Sequence, residues 1–562
     1  MGSPPARSRQ VTVDEGLREW PEEARQAIDD EMAKMTSRYN VLRTVTREEK
    51  WMLDEAFAKR RRGDSTDAEF VIVYCKMFLK AKFQADGKFD RIAARLVGGG
   101  HTQPDSTYGE TFAPATDATT KLTAIFAFFA HAAKIGKVDS VRTWAFDING
   151  AFLHCKLDSP VPIFARLPSN IGPLSNQLVR VLGGLYGLKQ VNRTFYLDLV
   201  ATMTALGFIQ SDADECLFIR ASPASESNHT VAYFHVDDGH ALSLSETALQ
   251  WLIDGLTARY GELKLDKEGV SHAGWCIERT PTGVTVHQAG YIGSLSEKYS
   301  ELISAARGPT PSAPHNSHLF EPATDTTPVP QLSYQELIGS LMHAKQTRQD
   351  CCLVLSHLAS KSTKPVQTDL DNAIHLLRYL VATPHTGPRL DFASAAEHGP
   401  RLFGYVDASF ASHPDARSHG GYKFAIGPTS GSILSRSNPL ADTASPGSDV
   451  QLSTCEAEYV MLCYACMQAE WLRLLLATMG FPQDGPTVIY EDNEAAISMA
   501  HAPSRSRKTR HINIKFHYVK SLIAKGIVAP TYIDTALNHA DMISKANLTG
   551  HAGAIRRFNN QE

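Results

Sequence analysis

The chain has 562 residues, 43% of them hydrophobic and 21% charged, with a net charge of −4 and a pI near 6.6. That apolar content supports several buried cores and about three domains, and the near-neutral balance excludes a protein that holds nucleic acid through its overall charge, so any such surface has to be local. Nine scattered cysteines, no N-terminal secretion signal and no apolar run of membrane-spanning length predict a reducing intracellular setting, cytoplasmic or nuclear, with no membrane segment.

Residues 1–19 read as a polar, disordered tail. From Trp20 to Met35 the composition is helix-forming, with Ala24, Ile28, Met32 and Met35 spaced along one apolar face. Lys59-Arg60-Arg61-Arg62 is a charge run, ordinarily a solvated face and otherwise a local nucleic-acid contact. Val71 to Val97 alternates like a hairpin broken at Ala85-Asp86-Gly87. Thr143 to Ile148 is an apolar strand that delivers Asp147, with Phe152 five residues further on. Val231 to Leu244 is a pair of apolar runs joined through Asp237-Asp238-Gly239, a hairpin in which Asp-Gly supplies the positive φ of a tight turn. Pro, Ser and Thr crowd residues 306–330, which marks a linker, and 331–400 reads as helical, including Tyr334 to Gln346 and Asp369 to Val381. Near Arg401 strands resume. One of them ends in Asp407; a helix starting near Ser453 carries Glu456 and Glu458; a strand from Thr487 delivers Asp492; and Asn538 to Asp541 opens or precedes a last helix. Cys463 and Cys466 fall inside the Ser453 helix with no partner pair nearby, so buried thiols are expected rather than zinc.

Adjacent carboxylates at Asp237 and Asp238 repel, and a divalent cation is the usual remedy; the bland alternative is a solvated loop. Asp147 on a separate strand completes the set that two-metal nucleotidyl transfer requires. In the C-terminal third, Asp, Glu, Asp and Asp in the order strand, helix, strand, helix is the ribonuclease H arrangement, a hydrolytic two-metal site. Singly each is weak evidence, because most acidic residues sit on surfaces. The basic cluster Arg505 to His511, with Lys515 and Lys520, lies between Asp492 and Asp541.

The strings Ala94–Gln103, Thr111–Pro114, Phe146–His154, Leu185–Gln190, Phe234–Asp238 and Ile338–Met342 follow the order seen in copia-type (pseudovirus) retrotransposon reverse transcriptases, and the chain resembles that family from about Trp20 to Lys545. Ser453–Tyr459, Glu491–Ala496 and Thr509–Ile512 resemble its ribonuclease H region. The resemblance implies an α+β and α/β multidomain protein: right-hand polymerase fingers and palm over 20–305, the linker, a helical thumb or connection over 331–400, a ribonuclease H-like α/β domain over 401–548 and a tail over 549–562. It implies Asp147, Asp237 and Asp238 as polymerase metal carboxylates. Asp147 and Asp237 are expected as direct ligands and Asp238 as a support, since strand neighbours point to opposite faces. Arg95, Phe152 and Gln190 are implied as nucleotide contacts, Phe152 as the gate against the 2′ position. Asp407, Glu458, Asp492 and Asp541 are implied for the second site. Glu458 is preferred to Glu456 because Glu-Tyr-x-x resembles the Glu-Leu-x-Ala of other ribonucleases H. The cofactors implied are two Mg²⁺ (or Mn²⁺) ions per site, and the partners are an RNA template, a DNA primer, an RNA–DNA hybrid and deoxynucleoside triphosphates; oligomeric state is not specified.

Departures from the family are informative. Ala93 and Gly99 stand where lysines are usual, leaving Arg95 as the main expected triphosphate ligand. Gln190-Val191-Asn192-Arg193 replaces Gln-Ala-Pro-Arg, and His235 replaces Tyr. Nucleocapsid, integrase and protease motifs are absent from the sequence, so a C-terminal piece of a Pol polyprotein is expected, or a genomic relic of one. A catalytically inactive nucleic-acid-binding remnant is therefore the alternative to an active enzyme, and the seven retained carboxylates favour activity.

Overall fold

The computed structural model describes residues 8–62, 70–83, 88–221, 229–269, 271–272, 274–311, 313, 319–440, 451–502 and 513–546. Within them the strands form four sheets. The first, six-stranded, contains the hairpin Val71–Phe83 and Phe89–Gly98, whose connection at Ala85 to Gly87 lies outside the described residues. The expected disordered tail is corrected here, because Ser8–Val11 adds a strand antiparallel to Val71–Phe83 and Val13–Glu19 is a helix. The signal was present in the sequence: Thr12 and Glu15 form a reciprocal capping box. Pro21–Ala33 follows as a helix that buries Ala24, Ile28 and Met32, with Met35 buried on the next turn.

A second sheet holds the first carboxylate group. Its order is Leu263–Asp266, Arg142–Ile148, Asp238–Ser243, Thr230–His235, Leu217–Arg220, Ile209–Gln210, antiparallel throughout. Alternation along Thr230–His235 divides its side chains between two cores. Ala232 and Phe234 pack with Phe195, Leu199 and Leu252 from the helices Val191–Ala205 and Glu246–Tyr260, while Val231 and Tyr233 pack on the other face against the helix Ala118–Lys134. The hairpin differs from expectation in one detail. Its turn is Val236-Asp237, Val236 carries the positive φ of 63°, and Asp238-Gly239 already belongs to the strand. Gly239 therefore supplies room rather than backbone freedom; a Cβ there would collide with the Phe146 ring on the adjacent strand.

Residues 306–330 do not separate independent bodies as expected. Ile292, Leu295 and Ile303 from Ala289–Lys298 and Ser300–Ala305 share one core with Leu337, Leu341, Leu376 and Leu380, so the helical body begins before that stretch. The stretch itself is tied across it by the Pro328 to Val366 bridge. The body is also not purely helical: Arg389–Asp391 pairs with Gly283–His287 in a four-stranded sheet.

The fourth sheet has the order Ser432–Pro439, His419–Ile426, Leu402–Ser409, Thr487–Glu491, Val528–Tyr532; the first three strands are antiparallel and the last two run parallel to Leu402–Ser409. The 25-residue helix Thr454–Thr478 packs on it. That helix is long and apolar enough to cross a membrane by composition, which corrects the expectation that no such run exists, but Leu462, Cys466, Leu472 and Leu476 are buried in the core of this fold. The expected tail 549–562 lies outside the described residues.

Gly239→Ala should push the two central strands apart through Phe146 and lower the thermal midpoint, at a cost of about 1–3 kcal/mol for overpacking. Gly290→Ala, placed where a Cβ meets no atom within 4 Å, serves as the control. Equal midpoints for the two variants would refute the close-approach role of Gly239.

Candidate active sites

Asp147 and Asp238 are directly opposite on neighbouring antiparallel strands, so their side chains share a face. Asp237 occupies the turn, and its carbonyl accepts the Ile148 N–H at 3.0 Å, which fixes the turn against the strand that carries Asp147. Burial, then the Asp238 charge, pushes the Asp147 carboxyl above its ordinary value; burial, then Asp147 and Asp238, does the same to Asp237. Arg95 opposes both shifts. The three do not gather as tightly as the groups whose ligand atoms all lie within 4.8 Å of one another. Asp238 instead lies 3.5 Å from the buried His272 Nδ1.

Beside these carboxylates opens a cavity of about 830 Å³ lined by Asn149, Gly150, Tyr186, Arg95 and five further cations, Lys34, Arg38, Lys80, Lys82 and Arg91. Lys80 is the cross-strand partner of Ala93, so a positive charge sits opposite the position where the family lysine is missing. Gly99 has a structural reason: its N–H donates to the Tyr74 carbonyl at 2.9 Å, and a Cβ would press on that oxygen. Lys80 and Lys82 are additions to the expected set, although the alternation Phe78, Lys80, Lys82 along one strand face was a usable signal. Arg95 lies 4.5 Å over the Tyr186 ring, and Tyr186 meets Phe152 edge-on at 5.6 Å, so both expected nucleotide contacts border one aromatic group. Gln190 is a correction. It is buried, its side-chain oxygen accepts from Gln103 at 3.2 Å and its amide donates to the Asp158 carbonyl at 3.5 Å, so it braces a loop and does not line the cavity.

The second group is more enclosed. Asp407, Asp492 and Asp541 bring carboxylate oxygens within 4.8 Å of one another, and Glu458, Glu491 and Asp492 do the same. The ends of the parallel strands Leu402–Ser409 and Thr487–Glu491 set Asp407 and Asp492 near each other, the helix capped by Ser453 presents Glu458, and the short helix Asp541–Ser544 presents Asp541. Glu456 serves elsewhere: it accepts the Leu452 N–H at 2.5 Å at the helix start. Two members lie outside the expected set. Glu491 is fully buried next to Asp492, and the Lys545 ammonium lies 2.9 Å from Asp407 and 2.6 Å from Asp541. Both had signals in the sequence, an adjacent Glu-Asp pair and a lysine four residues after Asp541.

Burial pushes Glu458 up to about 11, and it raises Glu491, Asp407 and Asp541 as well, Asp541 to about 7. Burial alone would lower Lys545, but Asp407 and Asp541 hold it above the ordinary lysine range. Two oxygens, Glu458 Oε2 and Glu491 Oε2, are buried with no hydrogen-bond partner. Unpaired carboxylate oxygens at such depth are what a divalent cation would satisfy.

Other expected sites are placed as follows. Arg505 to His511 lies outside the described residues, while Lys515 and Lys520 lean over the Tyr464 and Phe516 rings at 5.6 and 4.1 Å. Lys59 sits 3.6 Å from Glu55 within the helix Arg47–Arg62. Cys463 and Cys466 are free, buried thiols, with Cys463 pushed up to about 11 by burial.

Residues 73–313 match the family described as reverse transcriptase (RNA-dependent DNA polymerase). They form a reverse transcriptase domain. The chain is 28% identical over 482 residues to the retrovirus-related Pol polyprotein from transposon RE1 of Arabidopsis thaliana, covering 84% of this chain and 31% of that protein. It is 27% identical over 480 residues to the corresponding polyprotein from transposon TNT 1-94 of Nicotiana tabacum, covering 84% and 34%. The chain thus spans about a third of the length of the curated relatives it matches. Among solved structures it is similar to the foamy viral protease-reverse transcriptase in complex with double-stranded DNA, with a TM-score of 0.43 and 12% identity over 94% of this chain and 82% of that one. The first carboxylate group, Asp147, Asp237 and Asp238, lies inside the reverse transcriptase domain, and the second lies beyond it.

A carboxylate whose folded pKa is raised contributes stability below its unfolded value, and that contribution is lost as pH rises through the folded value. For Asp541 the window runs from 3.8 to about 7. In metal-free solution, the stability of the native chain relative to Asp541→Asn should therefore fall between about pH 4 and about pH 7. The difference between the two proteins removes the buried histidines, which titrate in the opposite sense. A relative stability that climbs with pH would overturn the assignment.

Proposed function

We propose that the chain is an RNA-directed DNA polymerase with ribonuclease H activity, a segment of a copia-type Pol polyprotein acting inside the cell, in the cytoplasm or nucleus. The observation that carries this reading is that Arg95, one of six cations lining a single cavity, acts electrostatically on both Asp147 and Asp237. Such a cavity suits a triphosphate, whose charge needs several cations.

In this reading the first two sheets are fingers and palm, the helical body is the thumb or connection, and the last sheet with its helices is a ribonuclease H-like domain. The strand order and directions of that sheet support the last assignment. Asp147, Asp237 and Asp238 would hold the polymerase ions, and Asp407, Glu458, Asp492 and Asp541 the hydrolytic ones. Bound Mg²⁺ or Mn²⁺ supplies a lowered pKa for the attacking oxygen and neutralises charge on the phosphoryl group. The remaining work falls to side chains: Arg95, Lys80 and Lys82 bind the triphosphate, the Phe152 ring closes the 2′ side of the sugar, and the fixed strand ends keep the carboxylates preorganised. The inactive-remnant alternative rests on Ala93 and Gly99, and Lys80 opposite Ala93 weakens it. The RNA template, DNA primer, RNA–DNA hybrid and deoxynucleoside triphosphates are the proposed partners.

With purified protein, Asp237→Asn should abolish primer extension on an RNA template while leaving hybrid cleavage, and Asp492→Asn should do the reverse, each loss being about 10²-fold or more. Simultaneous loss of both activities in either folded variant would argue against two separate centres. Phe152→Ala should admit ribonucleotides, and Lys80→Ala should raise the KM for deoxynucleotides about tenfold with little change in kcat, as expected for a ground-state contact. An unchanged preference against ribonucleotides, or an unchanged KM, would remove that residue from the nucleotide site.

A further inference from the structure

The second carboxylate group contains two clusters of close carboxylate oxygens that share Asp492, and a lysine of the chain itself is paired with one of them. Lys545 Nζ lies 2.9 Å from Asp407 Oδ1, 2.6 Å from Asp541 Oδ1 and 3.9 Å from Asp492 Oδ2, the contacts a bound ion would otherwise make. In the other cluster, Glu458 and Glu491 are 3% and 0% exposed, each offers a carboxylate oxygen within 4.8 Å of Asp492, and the Oε2 of each is buried without a hydrogen-bond donor. An ammonium and a divalent ion cannot share one set of oxygens, so the two halves of the group differ in what they can accept. Lys545 also has somewhere to go. It borders a cavity of about 650 Å³ together with Phe320, Ser409 and His413, and its side chain is 29% exposed.

We propose that Lys545 is a built-in cation of this centre, so that the free protein takes a single divalent ion, at Glu458, Glu491 and Asp492, and a second ion binds between Asp407 and Asp541 only by displacing the Lys545 ammonium. The inference rests on reading the group as a hydrolytic metal centre, and it adds Glu491 as a metal-holding residue and Lys545 as the element that sets ion occupancy. A phosphate of bound nucleic acid would give the displaced ammonium a replacement anion. Occupancy of the second position would then follow substrate binding.

The test counts ions without nucleic acid or turnover. In the full chain carrying Asp147→Asn and Asp237→Asn, which disable the first site, Mn²⁺ binding is followed by calorimetry and by electron paramagnetic resonance. One ion is expected in this background, and Lys545→Met should add a second ion by raising its affinity about tenfold or more. Glu491→Gln should weaken the first ion by about 10–100-fold. Lys545→Gln keeps hydrogen-bonding capacity without the charge; it should reproduce the second ion even if the methionine variant folds poorly. Two ions of comparable affinity in the background protein would overturn the proposal, as would a single ion in both folded Lys545 variants or undiminished binding in Glu491→Gln. If the background protein binds no ion at all, the hydrolytic reading fails together with this inference. If it binds two equally and still cleaves hybrid, only the inference fails.

Discussion

The helix Ala118–Lys134 is the constraint on which the rest of the arrangement depends. It is apolar nearly all round, and Thr119 to Ala130 are buried without interruption, which a helix can be only when protein surrounds it. Its core includes Val231 and Leu242 of the sheet that carries Asp147 and Asp238, Trp275 and Val284 of the four-stranded sheet, and Val406, Phe424 and Ile433 of the last sheet. Phe126, Phe128 and Phe129 alone each contribute about 1.5–3 kcal/mol of burial. Two acidic centres far apart in sequence are therefore carried by sheets that share one core, and a cavity opened there would disturb both. The same helix also reaches the first centre electrostatically: Lys121 is buried, burial lowers its pKa, and Asp238, Asp117 and Asp214 favour its charge.

Polar contacts at one buried corner join the helical body to the last sheet. Arg348 and Asp350 are nearly inaccessible and paired through two hydrogen bonds of 3.0 and 2.8 Å, with the Tyr379 hydroxyl donating to Asp350 at 2.9 Å. Between them Gln349 accepts from Ser432 and Ser435 at 2.7 and 3.0 Å, carrying the corner into the sheet. A buried ion pair of this kind is weak evidence for net stability, but removing one partner strands a charge. Its effect is to fix geometry at the joint.

The two centres solve the problem of clustered negative charge differently. In the reverse transcriptase domain the carboxylates are partly buried, and Arg95, which acts on Asp147 and Asp237, also lines an open basic cavity that can receive a large anionic ligand. In the last sheet they are deeply buried and face a lysine of their own chain. The first centre is open to exchange; the second already holds its counter-charge.

Much of this was legible in the sequence because it is local. The strand ends at Asp147, Asp407 and Asp492, the buried face of Ala24, Ile28 and Met32, and the helices around Tyr334 and Asp369 follow from periodicity within one element. The capping box at Thr12 is equally local, although the polar residues around it mask the helix that it starts. What the sequence could not determine depends on neighbours that only the fold brings together. Lys80 stands opposite Ala93 only through hairpin register, Gly239 is required only because Phe146 lies beneath it, and Gln190 is held away from the basic cavity by Gln103. Lys545 meets Asp407 only because the last short helix folds back on the first strand of its sheet, bringing together groups 138 positions apart. Sequence determines which face of an element a side chain occupies; which charge stands opposite it is decided by packing, since electrostatic partners are chosen by distance in space and not along the chain.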